Sequence, residues 1–298
     1  MARRRSIIGI VLFGALAASA ALAKEKPFAG RVVTDLVYVE RGRKEMKLDA
    51  WAPPGEPQGA PVVLVIHGGG FTGGWRWMMD PLCRALAEKG IVVFNLQYRL
   101  APRYPFPAPI EDTRCALRWI ARHAPEYGGD PARLGVTGES AGGYLSAMAV
   151  FPPPDQFCNE SCPEGAAAMP EIKAAVLYYG PYDLAASLDD DFKPIPLIYY
   201  LCLGKTLKQD PERYREFSAT TYLHPGLPPL LLQSGTRDYF LPEAQGLYAK
   251  LQALGEDAEL IVWEGAKHGF AISPKVAPGS VNYEKTAEFF LKHLVANR

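Results

Sequence analysis

The segment "ARLGVTGESAGGYLSAMAV", residues 132–150, changes from a strand pattern to a helix pattern without an intervening loop. Its first part is the apolar run of a buried strand, and residues 141–150 begin a helix at once. Between them lies Gly138-x-Ser140-x-Gly142, in which small residues flank a serine. Such a turn is so tight that it exposes the serine hydroxyl at the helix N-terminus, where free N–H groups and the helix dipole favour developing negative charge. Ser140 is therefore the candidate nucleophile.

Apolar strands and helices alternate on both sides of this segment. Strands are predicted at residues 30–40, 44–52, 60–68, 91–99, 132–140, 172–180, 228–236 and 258–266, and helices at 77–89, 110–123, 141–150, 242–254 and from 281 onward. The first two strands are joined by a short charged turn and form an antiparallel hairpin. Near-continuous apolar strands separated by helices indicate a parallel sheet covered on both faces. We predict an α/β fold with a mostly parallel, eight-stranded sheet.

Two stretches interrupt this alternation. Residues 151–170 contain proline, cysteine and alanine without strand periodicity, and residues 184–227 are longer and include "FKPIPLIYYLCLG". Insertions on such a sheet are often functional when they lie beside the site. We expect them to form a small lid, and the aromatic and aliphatic side chains of the second are predicted either to line a pocket or to pack as ordinary core. These side chains are Phe192, Ile195, Leu197, Ile198, Tyr199 and Tyr200.

The sequence "VLVIHGGGFTGGW", residues 63–75, places three glycines directly after a strand. A run of glycines indicates that the backbone itself approaches a ligand, either a dinucleotide phosphate or an oxyanion. A dinucleotide site requires an acidic residue near the end of the next strand, and "NLQYR" has none there. Gly68 and Gly69 are therefore predicted to donate backbone N–H groups to an oxyanion, together with the N–H of Ala141.

A serine nucleophile requires a base, and the base requires an acid that orients it. His268 follows the last predicted strand, where a parallel sheet presents its active-site loops, and it is the predicted base. Asp238 follows the preceding strand and is the predicted acid, which gives the chain order Ser…Asp…His. Asp183 and Glu264 remain alternatives for the acid.

The first residues have the layout of a secretory signal peptide. Arg3, Arg4 and Arg5 precede an apolar stretch that is short for a membrane span and ends in Ala21-Leu22-Ala23. We predict cleavage after residues 1–23, one catalytic domain over residues 24–298 and a periplasmic or secreted location. Removal of residues 1–23, which include the three arginines and no acidic side chain, leaves 275 residues with 29 basic and 32 acidic side chains. Nothing in this balance indicates a nucleic-acid partner. We also expect no stable membrane span after signal removal.

The five cysteines are too few for a disulfide scaffold, and their number is odd. Cys158 and Cys162 are close enough in sequence to close a small loop in an oxidising compartment, and the sequence leaves open whether they do. Cys83 and Cys115 lie in apolar helix patterns and are expected to be buried thiols, whereas Cys202 fits either state. No Cys/His spacing indicates a metal site.

Six motifs occur in an order and spacing that resemble the hormone-sensitive-lipase-like α/β-hydrolases. They are "HGGGF", "YRLAP", "PAPIEDT", "GESAGG", "GTRD" and "KHGF", and the resemblance covers residues 30–298. Two departures are Arg103, where family members often have Glu, and the absence of a sizeable N-terminal cap. The nearest relatives look like carboxylesterases and acetyl-xylan or feruloyl esterases.

This resemblance implies an α/β-hydrolase fold and the hydrolysis of esters without a cofactor or metal. A small pocket covered by the apolar side chains of residues 184–227 further predicts a preference for short-acyl esters. The ester is expected to be a small molecule or to be linked to a polysaccharide. Phe71, Tyr199, Tyr200 and Phe240 are the predicted pocket residues. Alternatives are a prolyl-oligopeptidase-type serine peptidase, an arylformamidase-type amidase and a binding module on an inactive hydrolase scaffold.

Overall fold

Eight strands of the described chain form one sheet in the order β1-β2-β4-β3-β5-β6-β7-β8. The computed structural model describes residues 27–157, 162, 168–189 and 194–295, so the predicted signal peptide and Phe192 lie outside the described residues. The strands are β1 (Arg31–Arg41), β2 (Lys44–Ala52), β3 (Ala60–Ile66), β4 (Val92–Leu96), β5 (Gly129–Glu139), β6 (Ile172–Tyr178), β7 (Leu230–Arg237) and β8 (Ala258–Lys267). β1 pairs antiparallel with β2, and β2 pairs antiparallel with β4. The six strands β3 to β8 are parallel to one another. The predicted sheet is confirmed.

Seven α-helices within the described ranges cover the two faces of this sheet. They are α1 (Asp80–Glu88), α2 (Ala108–His123), α3 (Ala141–Val150), α4 (Ile195–Leu203), α5 (Pro211–Glu216), α6 (Leu241–Ala253) and α7 (Val281–Val295). Helices α1 and α7 pack on one face, whereas α2, α3 and α6 belong to the core on the other. None of the helices described is long and apolar enough to cross a membrane.

β3 illustrates why the strands read as continuous apolar runs. Val63 and Val65 point into the core beneath α1 and α7, whereas Val62, Leu64 and Ile66 point into the opposite core. All five side chains are fully buried. Successive side chains of a strand alternate between faces, so a strand covered on both sides needs an apolar residue at every position.

The predicted helix at residues 77–89 is divided in the structure. A 3₁₀ turn spans Arg76–Met79, and α1 begins at Asp80 with a proline in its first turn. Proline fits that position because its missing N–H would have no partner in the first turn. The 3₁₀ turn carries Met78 to the wall of a cavity that Ser140 also lines.

The disulfide of the described chain joins Cys115 on α2 to Cys162 in the segment after α3. Their Cα atoms are 5.7 Å apart although 47 residues separate them in sequence. The expectation of a free, buried Cys115 is therefore wrong, and so is the suggested loop between Cys158 and Cys162. Helices α2 and α3 pack side by side, so the segment that follows α3 lies close to α2. Cys83 and Cys202 are buried thiols.

Candidate active site

Ser140 lies at the junction between β5 and α3, with a backbone φ of 53° that non-glycine residues rarely adopt. A side chain at Gly138 would overlap the carbonyl oxygen of Gly142, and one at Gly142 would overlap the carbonyl oxygen of Ile66 on β3. The two glycines therefore permit the close approach of the helix to the sheet. This packing holds Ser140 in its strained conformation at the edge where the parallel strands end.

His268 lies between Ser140 and Asp238 and contacts both. Its Nε2 is 2.9 Å from Ser140 Oγ, and its Nδ1 is 3.0 and 3.2 Å from the two carboxylate oxygens of Asp238. A carboxylate can only accept hydrogen bonds, so Nδ1 carries the hydrogen. In the neutral ring, Nε2 then accepts the hydrogen bond of the Ser140 hydroxyl. The structure thus brings together three residues that lie 98 and 30 positions apart in sequence.

The other two candidate acids are bonded elsewhere. Asp183 accepts hydrogen bonds from Thr220 and Lys250, and Glu264 accepts one from Thr236. Asp238, by contrast, has a fully buried carboxylate that accepts the Phe240 N–H at 2.8 Å as well as the imidazole hydrogen. Hydrogen bonding within the loop after β7 therefore fixes the Asp238 carboxylate, and the fixed carboxylate orients the imidazole of His268.

Three aromatic rings enclose the imidazole of His268. Tyr239 stacks on it with ring centroids 4.3 Å apart, and Tyr179 and Phe240 meet it edge-on at 4.8 and 5.5 Å. They leave 19% of its side chain exposed. Such packing restricts the ring to the orientation in which both nitrogens are bonded.

Each of the three consecutive glycines has its own structural reason. A side chain at Gly68 would overlap the carboxylate of Glu139. Gly69 has a φ of 105° and Gly70 a φ of 60°, both in the region that side chains disfavour. Close approach accounts for the first glycine and backbone conformation accounts for the other two.

The prediction that Gly68 donates to an oxyanion is wrong. Its N–H already donates to Oε1 of the buried Glu139 at 2.7 Å. Gly69 and Ala141, the other two predicted donors, line the cavity beside Ser140, and so does Gly70, which was not among the predicted donors. None of these three N–H groups donates to another of the described residues. The available donors are therefore those of Gly69, Gly70 and Ala141.

His67, the residue before the glycines, stabilises this loop from within the core. It is fully buried, its ring stacks on Tyr98 with centroids 4.4 Å apart, and its Nδ1 donates to the carbonyl of Gly68 at 2.7 Å. Burial lowers the pKa of His67 to about 4, so the ring is neutral at physiological pH. The Tyr98 hydroxyl donates to the His67 carbonyl at 3.0 Å and ties the same turn to the strand end.

A cavity of about 310 Å³ opens directly above Ser140. Besides Ser140, Ala141, His268, Gly69 and Gly70, its lining comprises Phe71, Met78, Glu139, Pro181, Ile195, Ile198, Tyr199, Tyr239, Phe240, Gly269 and Ile272. Apolar side chains dominate, and Glu139 is the carboxylate among them. Phe71, Tyr199 and Phe240 lie where the sequence analysis placed them.

Tyr200 does not line the cavity, and its prediction as a pocket residue is wrong. It is 46% exposed and Leu197 is 62% exposed, whereas Ile198 and Tyr199 face inward. All belong to α4, whose 3.6-residue period directs positions 195, 198, 199 and 202 to one face. The face that α4 presents to the site therefore excludes the other two side chains.

The two insertions have different roles. α4 of residues 184–227 covers the cavity, which accords with the expected lid. Described residues of the 151–170 insertion line a separate depression near Lys173 and Lys292 and contribute nothing to the cavity above Ser140. The expectation that both insertions form the lid is therefore wrong for the described part of the first one.

Sequence reasoning missed Glu139, Gly70 and Tyr239 as site residues. Glu139 directly precedes the nucleophile and Tyr239 directly follows Asp238, so adjacency to the predicted triad was an available signal. For Gly70, the signal was its place in the same glycine run. Within the residues that the structure describes, no group of three His, Cys, Asp or Glu side chains is arranged to hold a metal ion.

Comparison with known proteins gives two kinds of similarity. The BD-FAE family model matches residues 48–252. Esterase LipQ of Mycobacterium tuberculosis is 31% identical over 215 residues, which are 71% of this chain and 50% of LipQ. The chain spans about half the length of the curated relatives that it matches.

Solved structures resemble the chain over most of its length. A hyperthermophilic esterase from the archaeon Pyrobaculum calidifontis superimposes with a TM-score of 0.75 at 25% identity, covering 89% of this chain and 87% of that one. EstE1, a thermophilic carboxylesterase cloned from a metagenomic library, gives a TM-score of 0.73 at 28% identity and covers 91% of each chain. These similarities confirm the predicted fold class.

Proposed function

The chain belongs to the BD-FAE family and has the α/β-hydrolase fold of hormone-sensitive-lipase-like esterases, and from this premise we propose that it is a serine hydrolase of carboxylic esters. The observation that carries the proposal is the position of His268, hydrogen-bonded to Ser140 on one side and to Asp238 on the other. That arrangement suits the transfer of one proton from an attacking hydroxyl.

In the proposed reaction, Ser140 Oγ attacks the ester carbonyl while His268 Nε2 takes its proton. Asp238 holds the imidazole in the required tautomer and stabilises the imidazolium that forms. The imidazolium then protonates the leaving alcohol as the ester bond breaks, which leaves an acyl group on Ser140. Water, deprotonated by the same histidine, hydrolyses this acyl-enzyme and restores the serine. Side chains of this chain and water supply every proton transfer.

The N–H groups of Gly69, Gly70 and Ala141 stabilise the negative oxygen of both tetrahedral intermediates. They line the same cavity as Ser140, and Ala141 begins a helix whose first N–H groups have no partner within the helix. Fixed donors in a site closed from water are worth roughly 10²–10³ in rate each. The glycine run therefore serves as the candidate oxyanion hole, displaced by one residue from the sequence prediction.

We expect short acyl groups to be preferred. The cavity of about 310 Å³ is at the low end for ligand sites, and Phe71, Ile195, Ile198 and Tyr199 close it. Each methylene that finds an apolar wall gains about 0.8 kcal/mol, so the gain stops once the cavity is full. With p-nitrophenyl esters of increasing acyl length, kcat/KM is expected to peak at about four acyl carbons or fewer. At an acyl length of about eight carbons, kcat/KM is expected to be lower than at the peak.

The same panel tests the reaction class. It includes acetylated xylan and methyl ferulate as polysaccharide-type and aromatic esters, together with a prolyl amide and an aryl formamide. Hydrolysis of the amides alone would contradict the esterase proposal and favour a peptidase or an amidase. A kcat/KM that still rises beyond about eight carbons would contradict the short-acyl proposal and indicate a deep groove.

We propose that the protein is exported by its N-terminal segment. The Cys115–Cys162 disulfide supports this proposal, because disulfides form and persist in oxidising compartments. After expression in a Gram-negative host, the periplasmic fraction is expected to yield a chain that begins at or near Lys24, as determined by N-terminal sequencing. A cytoplasmic chain that retains residues 1–23 and has a reduced Cys115 would contradict it.

A further inference from the structure

Glu139 is a buried carboxylate with no role in the proton transfers described above. It ends β5, lines the cavity beside Ser140 and is 2% exposed. Burial raises the pKa of Glu139, whereas the positive form of His268 and the Gly68 N–H act in the opposite direction. A carboxyl group in an apolar cavity is costly to keep without partners, so its contacts deserve a functional explanation.

The contacts of Glu139 join three loops of the site. Its Oε1 accepts the Gly68 N–H of the glycine loop at 2.7 Å, and its backbone leads directly into the nucleophile. Its carboxylate also interacts with the Tyr179 hydroxyl. That hydroxyl accepts the Ala271 N–H at 2.9 Å, and the Tyr179 ring packs edge-on against His268. One carboxylate thus connects the glycine loop, the nucleophile turn and the histidine loop.

The bond from Gly68 to Glu139 holds the backbone directly before the Gly69 and Gly70 amides. Gly69 and Gly70 have backbone conformations that glycine adopts at little cost, so their own dihedral preferences do not fix this loop. From within the core, His67 bonds the carbonyl side of Gly68, and Glu139 bonds its N–H side from within the cavity. Glu139 and His67 thus hold the two peptide groups on either side of the Gly68 Cα atom, which gives the following N–H groups a defined direction.

We propose that Glu139 is a positioning residue for the reaction: by accepting the Gly68 N–H, it holds the Gly69 and Gly70 N–H groups toward the oxygen of the tetrahedral intermediate. This inference rests on the proposed esterase function. It assigns Gly68 a place in the support of the oxyanion hole, in contrast to the direct donation expected from its sequence.

The test compares two replacements of Glu139. Glu139→Leu keeps the approximate size and removes the acceptor, and it is expected to lower kcat about 100-fold with KM changed less than about threefold, since misplaced donors affect the transition state. Glu139→Gln keeps an oxygen acceptor and is expected to recover kcat to within about tenfold of the wild type. The affinity for a trifluoromethyl ketone, which forms a tetrahedral adduct, is expected to fall in parallel with kcat.

Glu243 provides a matched control. It is also a buried carboxylate that accepts backbone N–H groups, those of Tyr182 and Asp183 at 2.8 Å each, and it does not line the cavity. Glu243→Leu is expected to lower the midpoint of urea unfolding, as Glu139→Leu does, but to leave kcat within about threefold of the wild type.

Two outcomes would overturn the inference while leaving the esterase function intact. One is a Glu139→Leu variant with wild-type kcat and inhibitor affinity. The other is a crystal structure of that variant in which the Gly68–Gly70 backbone is unmoved although kcat has fallen. Failure of the proposed function is distinct, because the wild-type protein would then hydrolyse none of the esters in the panel.

Discussion

Replacing Ser140 with alanine is expected to lower kcat for p-nitrophenyl acetate by at least about 10⁴-fold. The substitution removes the atom that forms the acyl-enzyme, and the base is then left without a hydroxyl 2.9 Å from its Nε2. Little change in KM is expected, because the cavity walls remain. Labelling with a fluorophosphonate, followed by mass spectrometry of the peptides, is expected to place the label on the wild-type Ser140 and to give none in the variant.

Ser146 is the matched control for this experiment. It lies on the same helix, α3, is fully buried and bonds the Gly142 carbonyl at 2.8 Å, but it does not line the cavity. Ser146→Ala is expected to retain both activity and labelling. Unchanged esterase activity in Ser140→Ala, or a label on another residue, would show that the nucleophile has been misassigned.

Asp238→Asn is expected to lower kcat by about 10³–10⁴-fold while the protein remains folded. An amide offers one oxygen where the carboxylate offers two, and its NH₂ group donates toward His268 Nδ1. This favours the tautomer with hydrogen on Nε2, which can no longer accept the Ser140 proton. The change also removes the buried negative charge that stabilises the imidazolium. Steady-state kinetics, with circular dichroism to verify folding, provide the measurement.

Two other acids serve as controls because the sequence alone offers them for the same role. Asp183→Asn and Glu264→Gln are expected to keep kcat within about threefold of the wild type, since neither carboxylate is bonded to His268 in the structure. A large loss in one of these variants, together with an active Asp238→Asn, would transfer the orienting role to that residue.

Local sequence features determined the elements and the order of the predicted triad. Continuous apolar runs such as β3 indicate strands that are buried on both faces, and the small residues around Ser140 indicate a tight strand-to-helix turn. Asp238 and His268 were predicted because they follow strands, and the carboxyl ends of parallel strands meet at one edge of the sheet. These signals extend over a few neighbouring residues, so one chain is enough to interpret them.

Tertiary structure decided which groups are available at the site and which are occupied. Sequence proximity suggested Cys158 as the partner of Cys162, but the packing of α2 beside α3 brings Cys115 within 5.7 Å of it. The composition of α4 made Tyr200 a pocket residue, but the rotation of that helix about its axis directs Tyr200 to solvent.

In the glycine run, too, the tertiary structure decides which groups are available. The sequence predicts that its backbone approaches a ligand, and it does not say which amide hydrogens are free. That depends on Glu139, which is 71 positions away from Gly68 in sequence and occupies its N–H in space. Hydrogen bonds act over about 3 Å whatever the separation along the chain, so only the folded arrangement determines which donors remain for a substrate.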